Sequence, residues 1–300
     1  MNLRQLELLR AVIRCETTIG AGRELGLSQP AVSNAIKHLE AQIGFPLFER
    51  INNRLFPTAE ARTLYRDSEP IFAMHAALET KIQDLKENKT GHLRIVATPP
   101  LGYSVIPKAL QRFLAKRSKI RISLDIRHFE HVLESVDSGV AELGFVMAAG
   151  DHHPTLEIES FFEGRMVCVM RPDHPLAAKP LVRPRDLAAH SFIALERDTR
   201  MGTIVRHAFS QAMQPFAFTV EVRYCHTACL LADSDVGVAV VDPLSPLCGT
   251  YADLIVRPFE PASNVAASVV QSRKRPLSRA ATAFLRDVRV VAGDVAKMLV

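Results

Sequence analysis

A chain of 300 residues, 48% hydrophobic and 23% charged, is long enough for two or three domains and too apolar to be disordered. No run approaches the roughly 20 apolar residues of a membrane span, and the opening MNLRQLELLR lacks the apolar core of a signal peptide. The chain is therefore expected in the cytoplasm, away from the membrane, and its net charge of +5 permits a nucleic-acid partner without demanding one. Five cysteines (Cys15, Cys168, Cys225, Cys229 and Cys248) suit free thiols in a reducing compartment better than a disulfide framework.

Residues 17–40, TTIGAGRELGLSQPAVSNAIKHLE, read as two short helices around a tight joint at Leu25-Gly26-Leu27. Ser28 is placed to cap the second helix, and Pro30 falls in its first turn, where a missing N–H costs nothing. Val32, Ile36 and Leu39 recur at helical spacing as an inward stripe. Ser33, Asn34, Lys37 and His38 face elsewhere, and all can hydrogen-bond. An anchored stripe with a short-armed polar face opposite is what insertion into the major groove of DNA requires. An ordinary helical hairpin with a solvated face would share that geometry.

Residues 44–58, GFPLFERINNRLFPT, add two short extended runs around Ile51-Asn52-Asn53, where the Asn pair tolerates the positive φ of a hairpin turn. Arg50 and Arg54 flank that turn, within reach of phosphates. A helix-turn-helix followed by a basic β-hairpin is a winged helix. Its candidate DNA-binding residues are Ser28, Gln29, Pro30, Ser33, Asn34, Lys37, His38, Arg50, Asn53 and Arg54.

The pattern LRQLELL…LSQPAVSNAIKHLEAQIGFPLFER…PT resembles the N-terminus of the LysR-type transcriptional regulators. The resemblance implies a double-stranded DNA operator, a small-molecule effector and a homodimer or homotetramer. One departure is Gly20-Ala21-Gly22, where the family has an Ala-rich helix. Glycine costs up to about 1 kcal/mol per helix position relative to Ala.

Thr58 reads as the next helix cap, with Glu60 hinting at a capping box. From there to about Lys89, Leu64, Ile71, Met74, Leu78, Ile82 and Leu85 fall at spacings of three, four and seven, which predicts an amphipathic helix. Thirty residues of helix span roughly 45 Å, more than a 58-residue head can cover. The simplest partner for the stripe is the same helix of a second subunit. A helix packed inside one domain is the alternative, and Pro70 should kink or break the run.

After Thr90-Gly91 the pattern changes. Strands are expected at HLRIVAT, IRISLDI, LGFVMA, RMVCVM, SFIAL, FTVEVRY, VGVAVVD and VAASVVQSR. Helices are expected at PPLGYSVIPKALQRFLAKR, HVLESVDSG, GTIVRHAFSQAM, TACLLADSD and SRAATAFLRDVRVVAGDV. Strands alternating with helices argue a parallel α/β fold. The resembled family crosses between two subdomains, as periplasmic binding proteins do, here near residues 162 and 267. The expected layout is a winged helix-turn-helix over 1–58, a linker and dimerisation helix over 59–90, and a two-subdomain effector domain over 91–300. Subdomain I takes about 91–161 and 268–300, and subdomain II about 162–267.

Ligands of open α/β sheets sit outside the carboxyl ends of strands, often against helix N-termini. That rule selects Thr98-Pro99-Pro100-Leu101-Gly102, Met147-Ala148-Ala149, Glu196-Arg197-Asp198-Thr199, Cys225-His226-Thr227 and Asp242-Pro243. Each alone is equally a connecting loop that caps a helix, and joint placement at one cleft is what would make a site. The stretches CHTACLLADSDVGVAVVDPLSP and DLIVRPFEP further resemble the opine-catabolism and lysine-biosynthesis branch of the family. That resemblance implies an effector, amino acid or opine-like, with an α-carboxylate and an amino or guanidino group. Thr98, Thr199 and helix N–H groups would take the carboxylate, Glu196, Asp198 or Asp242 the cationic end, and Arg197 would act as a carboxylate clamp.

Cys225-His226-x-x-Cys229 offers three metal ligands at best, and His128-x-x-His131 and His152-His153 fewer. There is no G-x-S-x-G, P-loop or H-E-x-x-H motif. Gly20 to Gly26 misses the dinucleotide spacing and follows no predicted strand. Catalytic residues, metal and cofactor are therefore all expected to be none. A cytoplasmic small-molecule-binding protein without DNA activity is disfavoured by the winged-helix head. An enzyme with a DNA-binding appendage would need a catalytic constellation that the sequence lacks.

Overall fold

In the computed structural model the described residues are 1–51, 54–86, 92–149, 152–249, 251 and 253–298, excluding the side chains of Arg50, Ala77, Thr80, Lys81 and residues 83–86. The chain divides into two units, Met1–Thr80 and Lys81–Val300. Helix α1 (Leu3–Cys15) starts at a capping box in which Asn2 and Gln5 exchange backbone and side-chain bonds. Thr17 caps α2 (Thr18–Leu25), which ends at Gly26 with φ 66°. Ser28 caps α3 (Gln29–Ile43), and Gly44 ends it. Leu8, Val12, Ala21, Val32, Ile36 and Leu55 form the buried core between these helices. A Cβ at Gly22 would sit 2.6 Å from the Leu27 carbonyl oxygen. The glycine that looked like a weakness in α2 thus lets it pack against the turn that aims α3.

Strands β1 (Phe48–Ile51) and β2 (Arg54–Pro57) pair antiparallel, with Ile51 opposite Arg54. Two anchors hold this wing. Leu55 N–H donates to the Glu16 carbonyl at 2.9 Å, and Glu40 Oε1 accepts from Leu47 and Phe48 N–H at 2.8 and 3.2 Å. Helix α4 (Ala59–Lys86) is capped by Thr58, whose Oγ1 accepts from Ala61 N–H at 3.2 Å. The third position past that cap is Ala61, so Glu60 contributes only first-turn charge. The helix runs unbroken through Pro70. The predicted end of the linker and the Thr90-Gly91 boundary lie outside the described residues.

The second unit holds two five-stranded sheets. The first has strand order β4-β3-β5-β12-β6: β3 (His92–Ala97), β4 (Arg121–Ile126), β5 (Leu143–Met147), β6 (Leu156–Arg165) and β12 (Asn264–Ser272). Its helices are α5 (Pro99–Tyr103), α6 (Val105–Leu114), α7 (Phe129–Ser138) and α11 (Arg279–Met298). The second sheet has order β11-β7-β10-β8-β9: β7 (Val167–Met170), β8 (Phe192–Leu195), β9 (Val220–Val222), β10 (Val238–Val241) and β11 (Ile255–Pro258), with α8 (Pro184–Leu187), α9 (Arg200–Gln211) and α10 (Cys225–Asp233). Phe113, Phe145 and Phe284 meet edge to face in the first core, and Phe192, Phe209 and Phe216 cluster in the second.

Several expectations need correction. The sheets are mixed: β12 runs antiparallel to β5 and β6, and β7 runs antiparallel to β10 and β11. Strands β6 and β11 were not foreseen. The predicted helix over 99–117 is two helices, Pro99–Tyr103 and Val105–Leu114, divided at Ser104. The crossings expected near 162 and 267 fall at Met166 and at residues 259–263, because β6 and β12 pair past those points, from Arg165 opposite Asn264 to Leu156 opposite Ser272 with a register shift between Ala267 and Ser268. Among the described residues no helix is long and apolar enough to cross a membrane.

Candidate functional site

In the first unit, Val32, Ile36 and Leu39 are buried, while Ser28, Gln29, Pro30, Asn34, Lys37 and His38 are exposed and Ser33 is half-buried. Asn34, Lys37 and His38 lie on the helix face opposite the buried stripe, as a period of 3.6 dictates, whereas Ser33 falls on its flank with its hydroxyl oxygen buried and no hydrogen-bond partner among the described residues, so it does not present the base-reading group expected of it. Arg54 lies at the start of β2, exposed, with Nη1 3.8 Å from Glu16 Oε2. An exposed pair at that distance holds the guanidinium weakly. Asn53 and the Arg50 side chain lie outside the described residues. On α4, Leu64 packs against the head with Leu9, Leu39 and Leu47. Farther along, Ile71, Met74, Leu78 and Ile82 are 45–56% exposed, an apolar stripe at helical spacing.

In the second unit a cavity of about 130 Å³ opens between the two sheets at the carboxyl ends of their parallel strands. Thr98, Pro99, Pro100, Met147, Asp198 and Thr199 line it, as the strand-end rule expected. Leu101 is fully buried behind them. Glu196 borders the cavity through an ion pair with Arg223. Arg197 is exposed and Thr227 half-buried, and neither lines it. His226 lies between Tyr103 and Tyr224, with centroids at 5.2 and 5.5 Å, and is also outside the lining.

Asp242 does not serve as expected. It is 0% exposed, and its carboxylate accepts from Leu244 N–H, Ser245 N–H and the Ser245 hydroxyl at 2.9, 2.9 and 2.6 Å. Burial pushes its pKa up. This carboxyl organises the turn after β10 and has no face for a ligand.

The start of α5 also differs chemically from what its position suggested. Pro99 and Pro100 carry no N–H, and Leu101 and Gly102 donate theirs to the Thr98 carbonyl at 3.1 and 2.9 Å. No anion can be held by donors that are absent or used. Thr199 is likewise committed: its hydroxyl accepts from Gly202 N–H at 3.0 Å and donates to the Glu196 carbonyl at 2.7 Å.

Cys225, from a segment that the strand-end rule selected, also lines the cavity, and other lining residues escaped sequence reasoning: His128, Phe129, Glu130, Arg200, Met201, Arg223 and Tyr224. They bring the N-termini of α7, α9 and α10 to one cavity, and no side chain caps α7 or α10. Uncapped helix starts leave orphan N–H groups and partial positive charge. Arg200 adds its guanidinium, 5.3 Å from the centroid of the Phe129 ring across the cleft. His128 Nε2 and His131 Nδ1 share one proton at 2.9 Å, and burial, then His131, holds His128 below the ordinary histidine value. The signal for His128 to Glu130 was present in the sequence, since β4 ends just before them.

Burial pushes the Cys225 thiol well up and Cys248 to about 11, so both stay protonated at neutral pH. Among the described residues no three His, Cys, Asp or Glu side chains gather to hold a metal. The cavity thus combines aromatic and Met walls with positive helix ends, two arginines and two carboxylates. Such a site is suited to a small anion or zwitterion.

Two family descriptions cover this architecture. "Bacterial regulatory helix-turn-helix protein, lysR family" matches residues 3–62, and "LysR substrate binding domain" matches residues 86–292. The chain is 28% identical over 288 residues to the transcriptional activator protein LysR of Escherichia coli (strain K12), covering 95% of this chain and 91% of that one. It is 32% identical over 260 residues to the octopine catabolism/uptake operon regulatory protein OccR of Rhizobium meliloti, covering 86% and 85%. The crystal structure of CbnR, a LysR family transcriptional regulator, superposes with a TM-score of 0.75 at 20% identity, covering 97% of this chain and 99% of that one. With its capped recognition helix, its wing and its two-sheet cleft all inside those matches, the chain belongs to the LysR family of DNA-binding transcriptional regulators, which are not enzymes.

Proposed function

We propose that this regulator, working in the cytoplasm, reads its operator with Gln29, Asn34 and Lys37 of α3 in the major groove, with Arg54 of the wing on a phosphate. The exposed stripe on α4 pairs with its copy in a second subunit, and two such dimers make the homotetramer. Residues 1–58, 59–90 and 91–300 act as reader, pairing helix and effector domain.

The effector is a small carboxylate-bearing molecule of the amino-acid or opine class. The observation that carries this reading is the meeting of three helix starts and two arginines at one cavity, where positive potential and apolar walls favour an organic anion. OccR, a regulatory protein of an octopine catabolism/uptake operon, supports the class. An effector seated between the two sheets favours one orientation of the halves only as far as it binds that orientation more tightly.

Calorimetry of the full chain against amino acids and opines, with and without operator DNA, tests the whole proposal. A carboxylate should bind, and operator should change its affinity by the factor with which it changes operator affinity, typically about 1–3 kcal/mol. A ligand that binds equally with and without DNA removes the coupling. Binding that persists when the cavity wall is altered by Thr98→Trp removes the site.

A further inference from the structure

The proposed effector needs a fixed partner for its carboxylate, and the residues first suited to that task are elsewhere or occupied. Arg197 stands outside the cavity, α5 has no free donor, and the Thr199 hydroxyl holds its own loop. Arg223 does line the cavity. In the parallel pairing of β8 with β9, Leu195 lies beside Val222, and Glu196 N–H donates to the Val222 carbonyl at 2.9 Å. The next residues on the two strands, Glu196 and Arg223, therefore emerge as neighbours where the sheet ends.

Arg223 Nη1 donates to Glu196 Oε2 at 2.7 Å and to Asp198 Oδ2 at 3.1 Å. Both bonds leave one nitrogen. Nε and Nη2 have no hydrogen-bond partner among the described residues. A guanidinium is planar, and its Nε–H and Nη2–H run side by side, matched to the two oxygens of a carboxylate. Held at Nη1 by two acids, Arg223 keeps that edge available in a set orientation. Holding it this way also neutralises much of the negative charge that a cationic ligand group would seek. Glu196 Oε1 and Asp198 Oδ1 have no partner among the described residues, but the guanidinium shared by the two carboxylates already offsets part of the charge that an ammonium would seek. Glu130, on the cavity wall and with no hydrogen bond or ion pair among the described residues, remains for a cationic end.

We propose that Arg223 is the specificity-determining residue of the cleft, taking the effector's carboxylate through its Nε–Nη2 edge, while Glu196 and Asp198 are positioning residues for Arg223 and not receptors for the effector's amine. This assignment rests on the carboxylate-effector reading above. It reverses the roles that chain position suggested, in which the acids met the ligand and Arg197 clamped it.

The test is calorimetry of the full chain with three matched probe pairs: L-lysine and 6-aminohexanoate, L-arginine and 5-guanidinopentanoate, L-glutamate and glutarate. Within each pair only the α-ammonium differs. For any pair that binds wild type, Arg223→Gln should weaken both members by roughly 10–100-fold, the scale of a charge-assisted fork. Arg223→Lys keeps the charge without the fork and should recover little of the loss. Glu196→Gln should weaken both members by one common factor, and Glu196→Asp should restore part of it. Melting of each unliganded variant reports its fold, and Arg223 is exposed enough to tolerate replacement. Unchanged affinity in Arg223→Gln overturns the clamp while leaving the carboxylate effector standing. Selective loss of the amino-bearing members in Glu196→Gln overturns the positioning role. Failure of all six probes to bind wild type counts against the effector class itself, a separate result from either.

Discussion

Asn34 and Arg54 offer DNA different chemistry from different elements. An amide on the exposed face of α3 can pair with a base edge, whereas a guanidinium beside Glu16 on the wing can meet only backbone charge at its level. Asn34→Ala should therefore relax sequence preference, at roughly 1–3 kcal/mol for a good contact. Arg54→Ala should weaken all sequences alike and lower the salt slope by about one unit. Salt titrations on operator and unrelated DNA separate the two, and an unchanged slope for Arg54→Ala would refute the phosphate contact. At this scale the sequence was legible wherever a residue's role follows from helical period or capping, as with Ser28 and Thr58. It was illegible where a role depends on partners distant in the chain. Asp242 sits at a strand end like a ligand-binding group, and only the fold reveals Ser245 satisfying it. Arg223 was hidden because FTVEVRY reads as one strand, while the ladder covers only Val220–Val222.

The elements divide in the same way. Helices α3, α4, α7, α9 and α11 announce themselves by periodicity, and the buried parallel strands β3, β5, β8 and β10 by continuous apolar runs. Strand β6 mixes acids with aromatics because it lies at a sheet edge, half in solvent, so its sequence lacks a buried strand's signature. Strand β11 is four residues at the edge of the other sheet. Helix α4 makes its own prediction. Ile71, Met74, Leu78 and Ile82 leave an apolar stripe exposed, and burying one such side chain is worth about 1.5–3 kcal/mol. Leu78→Lys should shift sedimentation of the full chain toward smaller species and weaken operator binding in parallel. A variant that sediments and binds like wild type would remove α4 from the interface.

For the molecule as a whole, acid should be destabilising well before the carboxylates titrate. Burial, the largest cause in each case, holds His128, His174 and His226 below the ordinary 6.5. Between those lowered values and 6.5 the unfolded chain binds more protons than the folded one, so stability rises with pH through that window. Asp242, raised from 3.8 by burial, acts in the opposite sense upward from 3.8, one carboxyl against three imidazoles. The melting temperature should increase from about pH 5 to about pH 7, and a flat profile would mean that these imidazoles titrate normally. The two crossings at Met166 and at residues 259–263 have one more consequence, for the order of events during synthesis. Everything the second sheet needs, β7 to β11, leaves the ribosome as one uninterrupted run. The first sheet, begun earlier, stays open between β5 and β6 until β12 arrives to fill the gap. Domains generally mature from the N-terminus during translation; here the half started first is completed last, and a nascent chain that has emerged only through Pro258 carries every strand of the second half beside an unclosed first one.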